Sequence, residues 1–182
     1  MRVHLSALAT IACVAGLHVS AAGPSLRGVG DLEGGAYFSW AVAVSPDGTA
    51  VVGSSKSEDS GPFEAFLWTE PGGMTGLGYL CGPNTAKWSD ALGVSLGGSV
   101  VVGESTSDFV QYWEGFWWSE PNGMDWLIPP PPPAWGFWSR AYDVSADGAT
   151  VVGAQCFPHV SILWEALKWV WDGTQWQQES LG

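Results

Sequence analysis

The chain has 182 residues, and its 18 acidic side chains against 6 Lys and Arg give a formal net charge of −12. Binding to phosphate groups normally requires a basic patch, so this composition argues against a nucleic acid partner. The length is that of one domain, and it is sufficient to bury a core.

The N-terminal segment predicts a secretory signal peptide over residues 1–22. Arg2 precedes an apolar run over residues 5–17, and the small residues Ala21 and Ala22 follow it. This order of charge, apolar run and small residues is typical of a cleaved leader, whereas the run is short for a bilayer. We therefore expect an exported chain, extracellular, on the cell surface or periplasmic, without a membrane span after cleavage. A buried N-terminal helix is the alternative.

The strongest signal is an internal repeat with a period of 50 residues. Val-Val-Gly stands at residues 51–53, 101–103 and 151–153, and a Val-Ser pair precedes each copy at the same distance. Glu-Ala-Phe-Leu-Trp from Glu64 returns as Glu-Gly-Phe-Trp-Trp from Glu114, and more loosely after that. A period of this size is typical of propeller blades and other repeat architectures. We place the repeats at about 29–80, 81–130 and 131–182, inside a single domain over residues 23–182.

Each repeat predicts four short strands, which makes the expected fold all-β. In the first repeat, strands are expected over residues 40–44, 49–54, 63–69 and 74–80. A Ser-Pro-Asp-Gly turn joins the first two strands, because proline presets φ and Asp-Gly tolerates positive φ. The expected turn residues are Asp47, Gly48, Gly98, Asp147 and Gly148. The second repeat lacks the aspartate, which argues against a cation site in every unit, and we expect no metal or cofactor.

Several of the 13 tryptophans follow the repeat. A single four-stranded sheet cannot bury such side chains alone, so we expect stacked units to bury them between their faces. The expected repeat core consists of Trp68, Trp118 and Trp169 with Val52, Val102 and Val152.

Aromatic residues that depart from the period are the better candidates for binding. Six tryptophans have no counterpart in every unit: Trp113, Trp117, Trp126, Trp135, Trp164 and Trp171. Several of them flank the five prolines at 129–133, which favour a stiff polyproline II segment. This segment is a rigid spacer or part of an exposed surface for a partner or sugar rings. We select Trp113, Trp126 and Trp135 as the contact residues.

These phrases together resemble the HAF repeat family of exported bacterial proteins. Val44 to Gly53 matches the family's V-S-x-D-G-x-x-V-V-G hairpin, and Glu64 to Trp68 matches its H-A-F-x-W strand with glutamate in place of histidine. Residues 73–78 match its G-M-x-x-L-G tail. The resemblance covers residues 29–182 and implies an extracellular repeat protein, but the family is defined by its repeat and implies no activity.

Three units are few for a ring, since propellers typically close with four to eight blades. Residues 29–32 resemble residues 77–80, the end of the fourth strand of the first unit, as if they ended a preceding unit. An open arc that self-associates through its exposed sheet edges is one solution. A truncated relative of longer proteins is another. A threefold body, such as a β-prism or β-trefoil, is the alternative fold.

Cys81 and Cys156 are the cysteines that remain after export. An oxidising compartment permits a disulfide between them, and two separate thiols are the alternative.

The sequence offers little support for catalysis. His159 is the one histidine beyond the leader, and a triad or a typical zinc site would require more. Glu64, Glu114 and Glu165 recur with the repeat, and hydrogen bonding to a neighbouring strand or exposure to solvent explains them.

We therefore expect a non-enzymatic β-repeat module that presents an interaction surface for a protein or cell-surface partner. A carbohydrate-binding module with exposed tryptophans is the first alternative. A glycoside hydrolase that uses Glu114 with a second acid is the other.

Overall fold

The computed structural model describes residues 26–57, 63–82, 86–108, 113–128, 138–156 and 163–181. These residues form an all-β structure whose twelve strands make three antiparallel sheets. The predicted signal peptide, Trp135, the proline run and His159 lie outside the described residues. In the part of the chain that is described, no helix has the length and apolar character needed to cross a membrane.

Each sheet consists of four consecutive strands that lie side by side in chain order. Sheet I contains β1 (Gly34–Val44), β2 (Ala50–Ser57), β3 (Glu64–Thr69) and β4 (Gly73–Gly76). Sheet II contains β5 (Ser89–Val94), β6 (Val101–Thr106), β7 (Trp113–Ser119) and β8 (Gly123–Trp126). Sheet III contains β9 (Trp138–Val144), β10 (Thr150–Cys156), β11 (Trp164–Trp171) and β12 (Trp176–Ser180). The prediction of three four-stranded units is confirmed.

The Ser-x-Asp-Gly turns join the first two strands of sheets I and III. Ser45 Oγ donates to Asp47 Oδ1 at 2.6 Å and accepts the N–H of Ala50 at 2.9 Å. The hydrogen bond from Ser45 lowers the pKa of Asp47 to about 2. Gly48 has a φ of 72°, a conformation that glycine adopts without steric cost. The expected turn geometry is therefore present.

The same turn is repeated in sheet III and modified in sheet II. Ser145 Oγ donates to Asp147 Oδ1 at 2.5 Å, and Gly148 has a φ of 74°. In sheet II a short 3₁₀ turn at Leu96–Gly98 replaces it, with Gly98 at a φ of 79°. Ser99 Oγ, 2.9 Å from Ser95 Oγ, takes the place of the missing aspartate.

The three sheets stack face to face and enclose two apolar cores. Alternate side chains of a strand point to opposite faces, so sheet II contributes Val101 to one core and Val102 to the other. The core between sheets I and II comprises Ala50, Val52, Ala65, Leu77, Leu80, Ala91, Val94, Val101 and Phe116. The core between sheets II and III comprises Val102, Leu127, Ala141, Val144, Val151, Leu167 and Trp169.

The stack is open, because the sheets do not close into a ring. The first strand of sheet II packs against the first strands of both other sheets, in the order β1, β5, β9. The described residues therefore leave one face of sheet I and one face of sheet III uncovered. A closed threefold body, the alternative fold, is not the architecture.

The open stack corrects part of the predicted core. Val52 and Val102 are fully buried, but Val152 is 41% exposed because no further sheet in the described part of the chain covers its face. Trp169 is fully buried, and Trp118 is half-buried against the first core. Trp68 lies on the uncovered face of sheet I, where it pairs with Val51 across β2 and β3 and is only half-buried.

The fourth strand of the first unit is shorter than expected. β4 ends at Gly76, and the chain then leaves sheet I for sheet II, where the N–H of Leu80 donates to Ser105 Oγ at 3.1 Å. The N–H of Leu32 donates to Ser55 Oγ at 3.0 Å in the same way. Leu32 therefore packs on sheet I as Leu80 packs on sheet II. This agrees with the repeat position of residues 29–32, which is that of residues 77–80.

The two cysteines are not joined to each other. The thiol of Cys81 lies 3.6 Å from Thr106 Oγ1 of sheet II. Cys156 is buried at the end of β10, at the repeat position that Thr106 occupies in the preceding sheet. Cys81 thus packs against sheet II whereas Cys156 lies in sheet III, and the structure has no disulfide between them.

Candidate functional site

Adjacent sheets leave a groove between them where their third and fourth strands end. Between sheets I and II, residues such as Leu67 and Thr75 lie on one side and Trp118 and Pro121 on the other. The groove between sheets II and III has a volume of about 180 Å³. Its lining consists of Trp117, Asp125, Trp126, Leu127, Trp171, Thr174, Gln175 and Trp176. We call this second groove the tryptophan groove.

Three indole rings in the tryptophan groove contact one another. The ring centroids of Trp117 and Trp171 are 5.6 Å apart, those of Trp117 and Trp176 6.0 Å, and those of Trp171 and Trp176 5.4 Å. The angles between the ring planes range from 43° to 65°. Such tilted and edge-to-face pairs are favourable contacts of aromatic rings. All three side chains are half-buried, so part of their aromatic surface remains available to a ligand.

The strand register brings polar groups to the same groove. Trp117 on β7 is opposite Asp125 on β8, and Trp171 is opposite Trp176 at the end of the β11–β12 hairpin. The turn of that hairpin is fixed by Asp172, whose Oδ1 accepts the N–H groups of Thr174 and Gln175 at 2.8 and 2.9 Å.

The Asp172 carboxylate in this hairpin turn remains charged over a wide pH range. The side-chain hydrogen bond from Gln177, followed by bonds from Thr174 and Gln175, lowers the pKa of Asp172 well below its ordinary value. The turn thus holds a hydroxyl group and an amide group at the edge of the aromatic surface.

Glu114 orients the fourth tryptophan of the groove. Trp126 Nε1 donates to Glu114 Oε2 at 3.1 Å, and Glu114 is only 3% exposed. Burial raises the pKa of Glu114, although hydrogen bonds from Ser107 and Trp126 oppose the shift.

The other two repeated glutamates make similar bonds to the chain that follows the third strand. Glu64 accepts the N–H of Gly78 at 3.1 Å and the hydroxyl of Tyr79 at 3.2 Å. Glu165 Oε1 accepts a hydrogen bond from Ser180 Oγ. The three glutamates therefore share one role, which is to attach the fourth strand or its continuation to the third.

The structure separates the predicted contact residues. Trp126 lies in the tryptophan groove, Trp113 lies at the other end of β7, and Trp135 is outside the described residues. Trp117 and Trp171 also line the groove, and their departure from the period is the sequence signal that marks them. Trp176, Thr174 and Gln175 were missed because nothing in the repeat marks them.

Trp113 belongs to a second aromatic surface, in which Phe63 and Trp164 occupy the equivalent places of sheets I and III. The ring pairs Phe38–Phe63, Trp88–Trp113 and Trp138–Trp164 occur at the same place in the three sheets, with centroids 5.6, 5.3 and 6.3 Å apart. The Arg140 guanidinium lies 4.9 Å from the Trp113 ring centroid and 5.9 Å from that of Trp164. Both of these tryptophans are more than two-fifths exposed. We call this row the aromatic ladder.

Arg140 also forms a buried ion pair next to the aromatic ladder. Arg140 Nε lies 2.5 Å from Glu104 Oε2, and Glu104 is 5% exposed. Burial is the largest effect on Glu104 and raises its pKa to about 7, with the Asp90 carboxylate adding to the shift and Arg140 opposing it. Burial likewise raises the pKa of Asp90.

The shift at Glu104 predicts a pH-dependent loss of stability. The pKa of Glu104 in the folded chain, about 7, is above the ordinary 4.5, so the folded state favours the protonated carboxyl group. The stability that Glu104 contributes is therefore fully present below pH 4.5 and is lost as the pH rises through 7. Between about pH 5 and pH 8, we expect the native chain to lose roughly 2–3 kcal/mol of unfolding free energy relative to Glu104→Gln. Urea unfolding of both proteins at both pH values measures this difference, and parallel pH profiles would contradict it.

Among the described residues, no group of three or more His, Cys, Asp or Glu side chains is placed to hold a metal ion. Comparison with protein-family models and with curated proteins finds no match for this chain. The resemblance to the HAF repeat therefore stays a prediction that rests on its motifs.

Proposed function

We propose that the protein is an exported, non-catalytic repeat module that binds carbohydrate in the tryptophan groove. The single observation behind this proposal is the meeting of four tryptophans with a carboxylate, a hydroxyl and an amide around about 180 Å³. Export is supported by the predicted leader over residues 1–22.

The proposal follows from the two kinds of surface that a sugar ring presents. The C–H groups of a pyranose form an apolar face, which packs on an indole, while its hydroxyl groups point outward around the ring. Trp117, Trp171 and Trp176 offer the aromatic surface. Asp125 can accept hydrogen bonds from hydroxyl groups, and Gln175 can both accept and donate. A mostly apolar lining with a few polar groups that fix orientation is the usual composition of a small-molecule site.

The size of the groove and the charge of the protein limit the class of ligand. Drug-sized ligands occupy pockets of roughly 300–1,000 Å³, so the smaller tryptophan groove suits a single sugar unit of a chain. The net charge of −12 and the carboxylate of Asp125 disfavour glycans that carry uronic acids or sulfate. We therefore expect a neutral glycan.

A tryptophan variant tests this proposal. Trp171 lines the groove without belonging to either core, so Trp171→Ala should remove stacking area and leave the fold intact. We expect affinity for a neutral oligosaccharide to fall about tenfold, which corresponds to about 1.4 kcal/mol. Tryptophan fluorescence titration against a panel of neutral glycans provides the measurement.

The matched control is Trp164→Ala on the aromatic ladder, where the tryptophan is 45% exposed and far along the sheet from the groove. This control should bind as the native chain does. If no glycan in the panel changes the fluorescence of the native protein, the proposed function is wrong.

A protein partner remains the second candidate, and the aromatic ladder is the surface that favours it. Trp and Arg are the residue types that most often dominate the energy of protein interfaces, and here Arg140 lies between Trp113 and Trp164. A partner captured by the native chain but lost by Trp113→Ala would support this candidate.

A further inference from the structure

The uncovered face of sheet I repeats a surface that is buried elsewhere in the same chain. Val44, Val94 and Val144 occupy one repeat position at the end of the first strand of each sheet. Val94 is 4% exposed and Val144 is 6% exposed, because each packs on the preceding sheet. Val44 is 59% exposed, since nothing precedes sheet I in the described residues.

The uncovered face of sheet III repeats the opposite half of the same contact. Val52 and Val102 are fully buried by the sheet that follows each of them. Val152, at the same repeat position, is 41% exposed. Val52 and Val94 belong to one apolar core, so a face of the Val44 type packs on a face of the Val152 type within this chain.

We propose that two copies of this chain associate head to tail, with the uncovered face of sheet I of each copy on the uncovered face of sheet III of the other. Both faces are used in both copies, so no apolar face is left over. Two copies contribute six sheets, a number within the four to eight that commonly close a propeller. A head-to-tail interface whose rotation closes gives a finite assembly instead of a filament.

Polar groups at the same faces match this arrangement. Ser89 Oγ accepts the N–H of Ala65 from the preceding sheet at 2.8 Å, and Ser139 Oγ accepts the N–H of Gly115 at 2.8 Å. Ser39 has the same repeat position on the uncovered face of sheet I. Ala166 is the equivalent of Ala65 in sheet III. In the proposed dimer, the N–H of the partner's Ala166 therefore donates to Ser39 Oγ.

The turn between the first two strands of each sheet shows the same difference between sheet I and the other two sheets. A side chain at Gly98 would contact Leu67 and Ala50 of sheet I, and one at Gly148 would contact Val100 of sheet II. A Cβ at Gly48 would meet no atom within 4 Å in the part of the chain that the structure describes. Gly48 thus has the turn geometry of the other two glycines without the neighbouring sheet that they contact.

A half-formed groove lies beside the uncovered face of sheet I. It is lined by Arg27, Gly48, Thr49, Trp68, Glu70 and Pro71, and the corresponding positions of sheet II line one side of the groove between sheets I and II. Arg27 pairs with Glu70 at 3.0 Å, but both side chains are more than two-thirds exposed, so the pair holds this position weakly. A second copy would displace Arg27 and supply the missing wall.

The mass of the native full chain in solution is the first test. Sedimentation equilibrium over a range of concentrations should give twice the mass of one chain. A monomer at all concentrations would overturn the proposal, and would indicate that the faces stay open or are covered by another part of the chain or by a different partner.

Two single variants test which faces meet. Val44→Lys and Val152→Glu each place a charge on one uncovered face, and each alone should give a monomer. Their mixture should recover a dimer, because the heterodimer has one native interface and one Lys–Glu interface. Loss of the dimer in Val44→Lys but not in Val152→Glu would overturn the head-to-tail arrangement in favour of pairing between two copies of sheet I.

The matched control is Leu96→Lys. Leu96 is 52% exposed in the turn of sheet II, away from both uncovered faces, and this variant should remain a dimer. Circular dichroism of each variant shows whether the β structure is retained. The mass of the native chain decides the proposal even if a variant does not fold.

Discussion

Replacing Gly103 with alanine is expected to destabilise the fold by about 3 kcal/mol or more, at the upper end of the cost of overpacking. A Cβ at this position would lie well inside van der Waals contact with the carbonyl oxygen of Asp90, 3.0 Å from the Cα of Ala91 and 2.8 Å from the Phe116 ring. Backbone atoms of β5 cannot move away without breaking their pairing with β6. Urea or thermal unfolding monitored by circular dichroism measures the loss.

Gly28→Ala is the control for this substitution. No described residue other than its chain neighbours lies within 4 Å of a Cβ at Gly28, so the variant should unfold as the native chain does. An equally mild effect of Gly103→Ala would mean that the first strand of sheet II does not approach β6 as closely as the structure has it.

The same contact explains why Val-Val-Gly recurs with the period. In all three sheets the first strand contains an irregularity in its pairing next to this glycine, between Ala41 and Ala43 in sheet I, Ala91 and Gly93 in sheet II, and Ala141 and Asp143 in sheet III. The bulge brings a backbone carbonyl over the second strand, and only glycine leaves room for it. The glycine was visible in the sequence, whereas the reason for it required the structure.

The strands and turns could be predicted because their signals are local. A Ser-x-Asp-Gly turn between two alternating segments specifies a hairpin, and this turn occurs in sheets I and III while Ser-Leu-Gly-Gly takes its place in sheet II. Asp47 and Gly48 accordingly adopt the expected turn. The end of β4 at Gly76 was not predicted, because the chain leaves the sheet to cover its neighbour through Leu80.

The exposure of equivalent residues could not be predicted in the same way. Val102 and Val152 have the same local sequence and the same place in a strand, but one is buried and the other is 41% exposed. The difference depends on whether another sheet follows, which is a property of the whole stack and not of the repeat. Trp68 differs from Trp169 because, in the described residues, no sheet precedes sheet I, whereas sheet II precedes sheet III.

The tryptophan groove was only partly predictable, since it arises between two units. Trp117 and Trp126 come from sheet II, while Trp171 and Trp176 come from sheet III. The repeat shows that Trp117 stands where sheet I has Leu67, but it does not show which side chains of the next unit will meet that indole. Contacts between sheets are formed by stacking, for which the sequence of a single repeat contains no local signal.

Replacing Trp169 with alanine should test the stacking itself, with an expected loss of about 3–5 kcal/mol. The indole is fully buried in the core between sheets II and III, and its ring lies against Gly153 of β10. Removal of a buried ring costs its transfer free energy and leaves a cavity that the surrounding strands fill only in part. Unfolding in urea followed by circular dichroism avoids the change in fluorescence that the substitution causes.

Trp68→Ala is the matched control, because Trp68 has the same role in the repeat but lies on the uncovered face of sheet I. At concentrations where the chain is monomeric, this variant should lose about 1–2 kcal/mol, in proportion to the smaller apolar area that becomes exposed. The ratio between the two losses measures how much a covering sheet contributes, since the two tryptophans occupy equivalent positions on the third strands of their sheets. Equal losses would contradict the open stack, because they would require Trp68 to be covered as completely as Trp169.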